Sequence, residues 1–346
     1  MKIMHFLQSP FFSGAENVVC QIIKMLETEK DLDFVYCSPD GQIRSALEER
    51  GIKFHPIEQF SISGLKSVLR EEKPDIVHAH DMKASFIAAM SCSSERLISH
   101  LHNNNFTNRN LNIKSIAYTI PAFRSSHIFY VSQSAYKGYY FHNWFKRKSS
   151  VLYNVIKVSD LYNKMTFDLQ DYNYDVVFLG RLTAQKDPLR LVDVIKCAVD
   201  QKPDLKVAII GTGDLQKDTQ EKSTMLGLQT NIEFLGYLSN PSKILHDAKL
   251  MLMTSLWEGT PMCALEAMAL GVPIVTTPTD GLKDLGVHGV TGYLSDSNVE
   301  LANYIIQITS DNEVYQLMHR ASKERSDILN DISKYKEEIL KIYGAV

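Results

Sequence analysis

At 346 residues with 45% apolar and 22% charged side chains, the chain is long for one hydrophobic core and suits two soluble domains. No apolar run approaches the ~18 residues of a membrane span, and "MKIMHFLQSPFFSG" lacks a signal-peptide layout. The five scattered cysteines form no CxxC pair, so free thiols in a reducing cytoplasm are expected and a zinc site is not. The net charge of -3 is unevenly spread: residues 1–150 carry 18 Lys/Arg against 14 Asp/Glu, and residues 151–346 carry 19 against 26. No acidic residue occurs from Arg96 to Ser159, where nine Lys/Arg do, so the first half has a basic face suited to an anionic partner.

In chain order, "KIMHFL", "DFVYC", "IKFH", "DIVHA", "RLISHL" and "SHIFYVS" read as strands, interleaved with helical patterns at Ala15–Leu26, Ile43–Arg50, Gly64–Glu72 and Ser85–Cys92. A polar, aperiodic stretch near 155–173 reads as a linker. The alternation then resumes with "YDVVFLG", helix 188–200, "LKVAIIG", helix 214–227, "IEFLG", helix 241–247, "LMLMTS", helix 261–270 and "VPIVTT". The expected organisation is a Rossmann-like domain at 1–157, a linker at 158–173, a second Rossmann-like domain at 174–325 and a terminal helix at 326–346. That helix is expected to be able to pack back on the first domain. Strand–helix alternation with short connections predicts doubly wound parallel sheets, whose ligands bind beyond the carboxyl ends of the strands. Two such halves facing each other would share one cleft.

The second half carries the most informative run, "SLWEGTPMCALEAMALGVPIVTT". Glu258, Gly259 and Thr260 form the turn at a strand's carboxyl end, and Pro261 opens the following helix. The start of that helix offers amides and a positive dipole end to a phosphate. Glu258 and Glu266 cannot accept hydrogen bonds from a phosphate anion but can accept them from sugar hydroxyls, one from a hexose and the other from a ribose. The blander reading is a capping residue plus a Glu of an amphipathic helix. In "FLGRLTAQKDP", Arg181 and Lys186 stand at another strand end, placed to neutralise a diphosphate or simply solvated.

In the first half, Ser13-Gly14 links strand to helix, where its amides meet a phosphate or a donor sugar, or form an ordinary tight turn. "DIVHAHD" sets His78 and His80 on one strand face, and "SHLHNNN" adds His100 and His102 at the next strand end. A zinc reading of His78 and His80 would need more ligands, and none are expected to be well placed. "DLD" at 31–33 precedes a strand and reads as surface loop rather than a metal site.

The ordered set of "SGAE", "DIVHAHD", "YVSQSAYKG", "VLYN", "GRLTAQK", "EGTP" with Glu266, and "GVTGYL" resembles the GT4-like retaining glycosyltransferases of the GT-B fold, from the first strand to about residue 310. The resemblance implies two Rossmann-like domains facing across a cleft, with the nucleotide-diphosphate sugar on the second and the acceptor on the first. It implies that Glu258 contacts donor-sugar hydroxyls, Glu266 the ribose, and Arg181 and Lys186 the diphosphate, with Gly259, Thr260 and Pro261 at the helix start. His80 matches a donor-sugar and catalytic-site histidine, and Gly14 the glycine of the first loop. No metal or other cofactor is implied, and a UDP-sugar is the commonest donor among similar enzymes. Two departures stand out: Ser13-Gly14 replaces a Gly-Gly, and "NVIKVSD" from Asn154 replaces Asn-Gly-Ile-Asp. The expected role is sugar transfer to a saccharide or lipid-linked saccharide acceptor in cell-surface polysaccharide synthesis. The alternatives are a non-hydrolysing sugar-nucleotide epimerase and a catalytically silent partner subunit. A nicotinamide dehydrogenase is disfavoured because "GTGDLQ" has Gln216 where the third glycine of GxGxxG belongs.

"AYKGYYFHNWFKRKSS" (135–150) concentrates six Tyr, Phe and Trp and four Lys/Arg. With the acid-free span it reads either as an anionic-membrane surface through 96–150 or as core packing of the first domain. The first option places a cytoplasmic enzyme peripherally on the inner face of the membrane. Nothing in the chain matches a nucleic-acid-binding motif.

Overall fold

The computed structural model describes residues 1–102 and 110–344. The chain divides into one unit of Met1–Val155 with Ile332–Val346, and a second of Ile156–Asp331. The first holds a parallel sheet of β1 (Lys2–Phe6), β2 (Asp33–Ser38), β3 (Phe54–Pro56), β4 (Ile76–His80), β5 (Arg96–Leu101), β6 (His127–Tyr130) and β7 (Ser149–Val151), in the order β3-β2-β1-β4-β5-β6-β7. Both faces of such a sheet are covered, which is why its inner strands are nearly continuous apolar runs. On one face Met4, Phe6, Val35, Cys37, Val77, Ala79 and Leu97 pack with Leu65, Val68, Ala84 and Ala88 of two helices, Ile62–Glu72 and Asp81–Ser91. The register pairs His5 with His78 and His80 with His100, so the strands' alternation collects these imidazoles on the opposite face.

The second unit repeats the plan with β8 (Val176–Leu179), β9 (Val207–Ile210), β10 (Ile232–Gly236), β11 (Leu250–Met253), β12 (Ile274–Thr276) and β13 (Gly292–Leu294), ordered β10-β9-β8-β11-β12-β13 and parallel throughout. Its core joins Val176, Phe178, Val207, Ile209, Leu250 and Leu252 to Leu191, Val194 and Ile195 of the helix Pro188–Val199. Asp187 starts that helix, its side chain accepting from the Arg190 amide at 3.2 Å. In each sheet the strand order reverses once, between β1 and β4 and between β8 and β11, which creates a switch point at the carboxyl edge.

Three boundaries differ from the sequence reading. Residues 158–165, expected within an aperiodic linker, form the helix Val158–Met165, anchored by buried Leu161. Val158, Leu161 and Met165 do recur at helical spacing, but eight residues between polar stretches are shorter than the window over which a period is read. The helix expected at 326–346 is interrupted: Asn312–Leu329 ends at Asn330, and Ile332–Tyr343 begins anew. Asn330 accounts for the break, because its side chain pairs with both backbone groups of Ile156, at 2.7 Å each. The three-residue strands β7 and β13 are too short for an alternation to register.

The basic, aromatic segment lies only partly in the core. Tyr139 and Phe145 are buried with Tyr118, Ala122, Ile128 and Tyr130, whereas Tyr140 and Trp144 are exposed. Two short helices before it, Ile113–Ala117 and Thr119–Arg124, present Ile113, Ile116, Ile120 and Phe123 to solvent. Residues 103–109 of the span 96–150 lie outside the described residues. Among the described residues, no helix is long and apolar enough to cross a membrane.

Candidate active site

The switch point of the second sheet gathers the residues singled out around "WEGTP". β8 ends at Leu179, and its loop delivers Arg181, Gln185 and Lys186; β11 ends at Met253, and its loop delivers Glu258 to Pro261. The loops are tied together by backbone, with the Leu256 amide donating to the Gln185 carbonyl at 2.8 Å. The Thr254 hydroxyl donates to the carbonyls of Lys186 and Asp187 at 3.1 and 2.9 Å. Lys186 is thereby aimed at Glu258, Nζ to Oε1 2.6 Å, and both side chains are nearly withdrawn from water. Gln185 donates to the Trp257 carbonyl at 3.1 Å and approaches Glu258 Oε2 at 3.5 Å. Burial pulls the Lys186 ammonium pKa down, but the facing Glu258 carboxylate outweighs it and the net shift is upward. Arg181 is exposed, and among the described residues its guanidinium has no hydrogen-bond or ion-pair partner. The strand end therefore holds one neutralised cation and one unneutralised cation.

Glu258 passes the chain to Gly259, Thr260 and Pro261, and the helix Met262–Ala269 starts with Pro261 as its extended N-cap rather than its first helical residue. No side chain caps this start. Opposite it, Gly281 lies so close to the turn that a Cβ there would stand 1.5 Å from the Gly259 carbonyl oxygen. The hydroxyls of Thr183, Ser255 and Thr279, in the loops after β8, β11 and β12, are buried without a partner among the described residues. Buried hydroxyls rarely stay unpaired, so these are sites where a polar ligand or water belongs. Glu266 lies further along the helix, half-buried. Burial pushes its carboxyl up to about 7, against a smaller opposing pull from Lys164.

At the first unit's switch point, the loop after β1 places Ser13 before the helix Gly14–Leu26, with its hydroxyl donating to Glu16 Oε2 at 2.5 Å. Among the described residues, nothing lies within 4 Å of where a Gly14 Cβ would stand, so their packing demands no glycine there. His80 is buried at the end of β4 with both ring nitrogens engaged: Nε2 lies 2.9 Å from His5 Nδ1, and Nδ1 lies 2.8 Å from His102 Nε2. The structure thus brings His5, His78, His80, His100 and His102 together. The expectation that further imidazoles are badly placed around the His78–His80 pair is corrected, because β1 and β5 bring them alongside in register.

Two triplets, His5-His78-His80 and His80-His100-His102, have ring nitrogens within 4.8 Å of one another. Two features separate this from a tetrahedral cation site. The nitrogen pairs at 2.8 and 2.9 Å are shorter than the roughly 3.3 Å edge set by zinc–nitrogen bonds, and match N–H···N hydrogen bonds. The His78–His80, His78–His100 and His100–His102 pairs stack face to face, 14–25° from parallel, so their in-plane lone pairs do not converge.

The sequence-derived residues therefore form two groups, Arg181, Lys186, Glu258–Pro261 and Glu266 in the second unit and Ser13, Gly14 and His80 in the first. Sequence reasoning missed Gln185, Gly281 and the three unpaired hydroxyls. A glycine or a Thr in a loop carries no signal until the loops are placed. It also missed His5, a single histidine inside an apolar strand.

Comparison with known proteins matches residues 12–160 to the model of Glycosyltransferase Family 4 and residues 166–325 to that of Glycosyl transferases group 1. The chain is 25% identical to the Escherichia coli UDP-Gal:α-D-GlcNAc-diphosphoundecaprenol α-1,3-galactosyltransferase, over 99% of this chain and 96% of that one. It is also 25% identical to the Staphylococcus aureus capsular polysaccharide biosynthesis glycosyltransferase CapH, over 99% and 98%. Among solved structures, Anabaena HepE in complex with UDP and glucose superposes with a TM-score of 0.87 at 21% identity, each chain fully covered. A Staphylococcus aureus TarM variant in complex with fondaparinux, α-GlcNAc-glycerol and UDP gives 0.84 at 13%, with 99% of each chain covered.

Proposed function

Because this chain belongs to the family-4-type glycosyltransferases and has the GT-B fold, we propose that it transfers a sugar from a UDP-sugar to a saccharide or lipid-linked saccharide, with retention at the anomeric carbon and without a metal. It is a transferase of polysaccharide or glycan synthesis. The observation that carries the finer reading is the Lys186–Glu258 pair at the β8/β11 switch point, under an uncapped helix start and beside unpaired Arg181. Two cations and a helix end suit a diphosphate, and a carboxylate beside them suits the hydroxyls of the attached sugar.

In this mechanism Glu258 accepts hydrogen bonds from donor-sugar hydroxyls, and Glu266 from the ribose. Arg181, Lys186 and the amides of Gly259, Thr260 and the helix start take up charge as the nucleoside diphosphate leaves, the role that a metal plays in other sites. Pro261 has no N–H, so its share is to set the helix direction. The departing phosphate oxygen then takes the acceptor proton on the face from which it left. Ser13 and Gly14 meet donor or acceptor at the first switch point, and His80 serves the same site from the end of β4. Neither glutamate is a nucleophile.

The galactosyl relative is named for a diphosphoundecaprenol acceptor and the capsular one for polysaccharide synthesis. A lipid-linked acceptor on the cytoplasmic face of the membrane agrees with the exposed Ile113, Ile116, Ile120, Phe123 and Trp144, flanked by Lys114, Lys146 and Arg147. A thermal-shift series with nucleotides and nucleotide sugars tests the donor: UDP and one UDP-sugar are expected to raise Tm, since ligands of the folded state stabilise it. No shift with any nucleotide would favour the silent-subunit reading. NMR of the product's anomeric proton tests retention, and an inverted linkage would reject it. Activity that collapses in EDTA and returns with a divalent cation would reject metal independence.

A further inference from the structure

Five imidazoles form one buried layer in the first unit: His5 of β1, His78 and His80 of β4, His100 of β5 and His102 just beyond it. Neighbouring ring centres are 4.3–5.4 Å apart. His80 sits in the middle, its Nε2 2.9 Å from His5 Nδ1 and its Nδ1 2.8 Å from His102 Nε2. Tyr343, the last residue of the helix Ile332–Tyr343, closes the layer, with its hydroxyl 2.8 Å from His78 Nδ1 and 3.5 Å from His5 Nε2. His100 makes no hydrogen bond through either ring nitrogen among the described residues.

Such a layer holds together only while nearly all its rings are neutral. In each close nitrogen pair one nitrogen must be bare, so charging both partners of a link sets two N–H groups head-on. Charging stacked rings also places like charges about 5 Å apart where water does not screen them. The titratable groups around the layer give little compensation. β2 brings Tyr36 opposite His5, with Glu16, Cys20 and Cys37 within electrostatic reach of Tyr36. β6 brings His127, and the helix Ile332–Tyr343 brings Tyr335 and Tyr343, the latter beside Arg96. Asp81 accepts from the His102 backbone amide, not from its ring. Among the described residues, no carboxylate is hydrogen-bonded to any of the five rings. Burial pushes His5 and His102 down to about 3 and His127 to about 4. Burial and the neighbouring rings together hold His78, His80 and His100 well below their ordinary range.

We propose that this layer is an acid switch: as its histidines take up protons the first unit opens as a block and releases the helix Ile332–Tyr343, while the second unit stays folded. In the unfolded chain each ring charges near its ordinary value of about 6.5. The layer's stabilisation is therefore complete above that pH and is lost as pH falls toward the folded values. Six buried rings, the five and His127, are ready to take up protons. One proton can be held in the folded state by His80, donating to both neighbours. Asp81 cancels another, because burial lifts its carboxyl to about 6. About four remain to drive the opening. In the second unit the charge balance runs the other way, since Glu266, raised to about 7, favours the folded state in acid. His100 shows that the layer is more than packing: a phenyl ring would fill its place without leaving two buried nitrogens unpaired. The switch does not depend on the transferase reading; only its consequence, loss of sugar transfer, does.

Hydrogen-exchange mass spectrometry of the full chain, corrected for the pH dependence of the chemical exchange rate, tests this. On acidification below about pH 6, β1, β4, β5 and Ile332–Tyr343 are expected to lose protection together, with β8, β9 and β11 still protected. Protection is expected to return at neutral pH; a chain that does not recover is damaged by acid rather than switched, which would overturn the proposal. Urea unfolding followed on the same segments counts the protons. The unfolding constant of the first unit is expected to rise about ten-thousandfold between pH 6 and pH 5, the signature of about four protons. His100→Phe keeps the stacked ring and is expected to move the transition to lower pH and to cut that rise about tenfold. A rise of about tenfold or less in the unmodified chain would sink the switch, whether or not the variant folds. So would a folded His100→Phe with an unchanged proton count, or loss of protection in both units at one pH.

Discussion

Lys186 and Glu258 are each other's only strong compensation in a place with little water, so removing one should cost more than removing both. Breaking a buried pair on one side typically costs about 3–5 kcal/mol, while an apolar replacement of both is close to neutral. Lys186→Met is therefore expected to lower unfolding free energy by about 3 kcal/mol in urea denaturation, and Lys186→Met with Glu258→Leu to recover most of it. A double variant no more stable than the single one would show that the pair is not coupled. Glu266 makes a pH-dependent prediction. Its folded carboxyl is raised to about 7 from the ordinary 4.5, so the folded state holds a proton that the unfolded chain releases. Its contribution to stability is present below about pH 4.5 and is lost as pH rises through about 7. A carboxylate that accepts ribose hydroxyls works in its ionised form, so uridine should bind roughly tenfold tighter at pH 8 than at pH 6. Isothermal calorimetry reads this, and Glu266→Gln should flatten it; a flat profile in the unmodified protein would remove the ribose role. At this scale the sequence was most legible for charged residues, because Arg181, Lys186, Glu258 and Glu266 stand out in apolar or glycine-rich runs. It was least legible for His5 and Gln185, whose meaning depends on partners 75 and 73 residues away.

Between elements, glycine contacts and helix faces decide more than propensity does. The turn after β11 and the helix Asp280–Leu285 meet through Gly281, and the Gly259 carbonyl fills the space of its missing side chain. Gly281→Ala must push those backbones apart, so it is expected to weaken UDP binding at least tenfold while leaving the first unit's hydrogen exchange unchanged. Unaltered affinity would mean that the turn does not form the nucleotide site. In the first unit, Ile113, Ile116, Ile120 and Phe123 recur at helical spacing yet face outward, Ile113 being 86% exposed. Lys148 donates to the Phe123 and Ser125 carbonyls, which ties this stripe to the 3-10 turn His142–Lys148 that carries Trp144. Ile116→Glu with Phe123→Glu is expected to abolish flotation with anionic liposomes at low salt, with a small drop in Tm because both side chains are largely exposed and Phe123 gives up one edge-on contact with Phe145. Flotation that survives the pair would exclude this face as the contact. The strands of both sheets other than β7 and β13 were legible because they are compact apolar runs between turns. This stripe was not, because hydrophobic periodicity marks a helix face without saying which way it points.

Across the whole molecule, the segment order in space is not the order in sequence. The first unit is built from both ends of the chain, and the helix Ile332–Tyr343 is part of its core. Tyr335, Ile339, Leu340 and Tyr343 are buried there, Lys336 pairs with Glu29 at 2.6 Å, and Arg96 donates to the Tyr343 carbonyl at 2.6 Å. The sequence reads this charged helical tail as able to pack back on the first domain, but periodicity alone does not place it there, since an amphipathic face is equally suited to any apolar surface. Burying four such side chains is worth about 1.5–3 kcal/mol each, a sum comparable with the whole stability of a typical domain of about 5–15 kcal/mol. A chain ended after Leu329 is therefore expected to lose the first unit and keep the second. Hydrogen-exchange mass spectrometry should find β1, β4 and β5 unprotected, while β8, β9 and β11 exchange as in the full chain. Such a truncated protein should still bind UDP through the second unit, yet transfer no sugar, because the unit assigned to the acceptor no longer folds. Retained protection in β1 and β4 would show that the tail is dispensable to that core; loss of protection in both units would show that their stabilities are coupled.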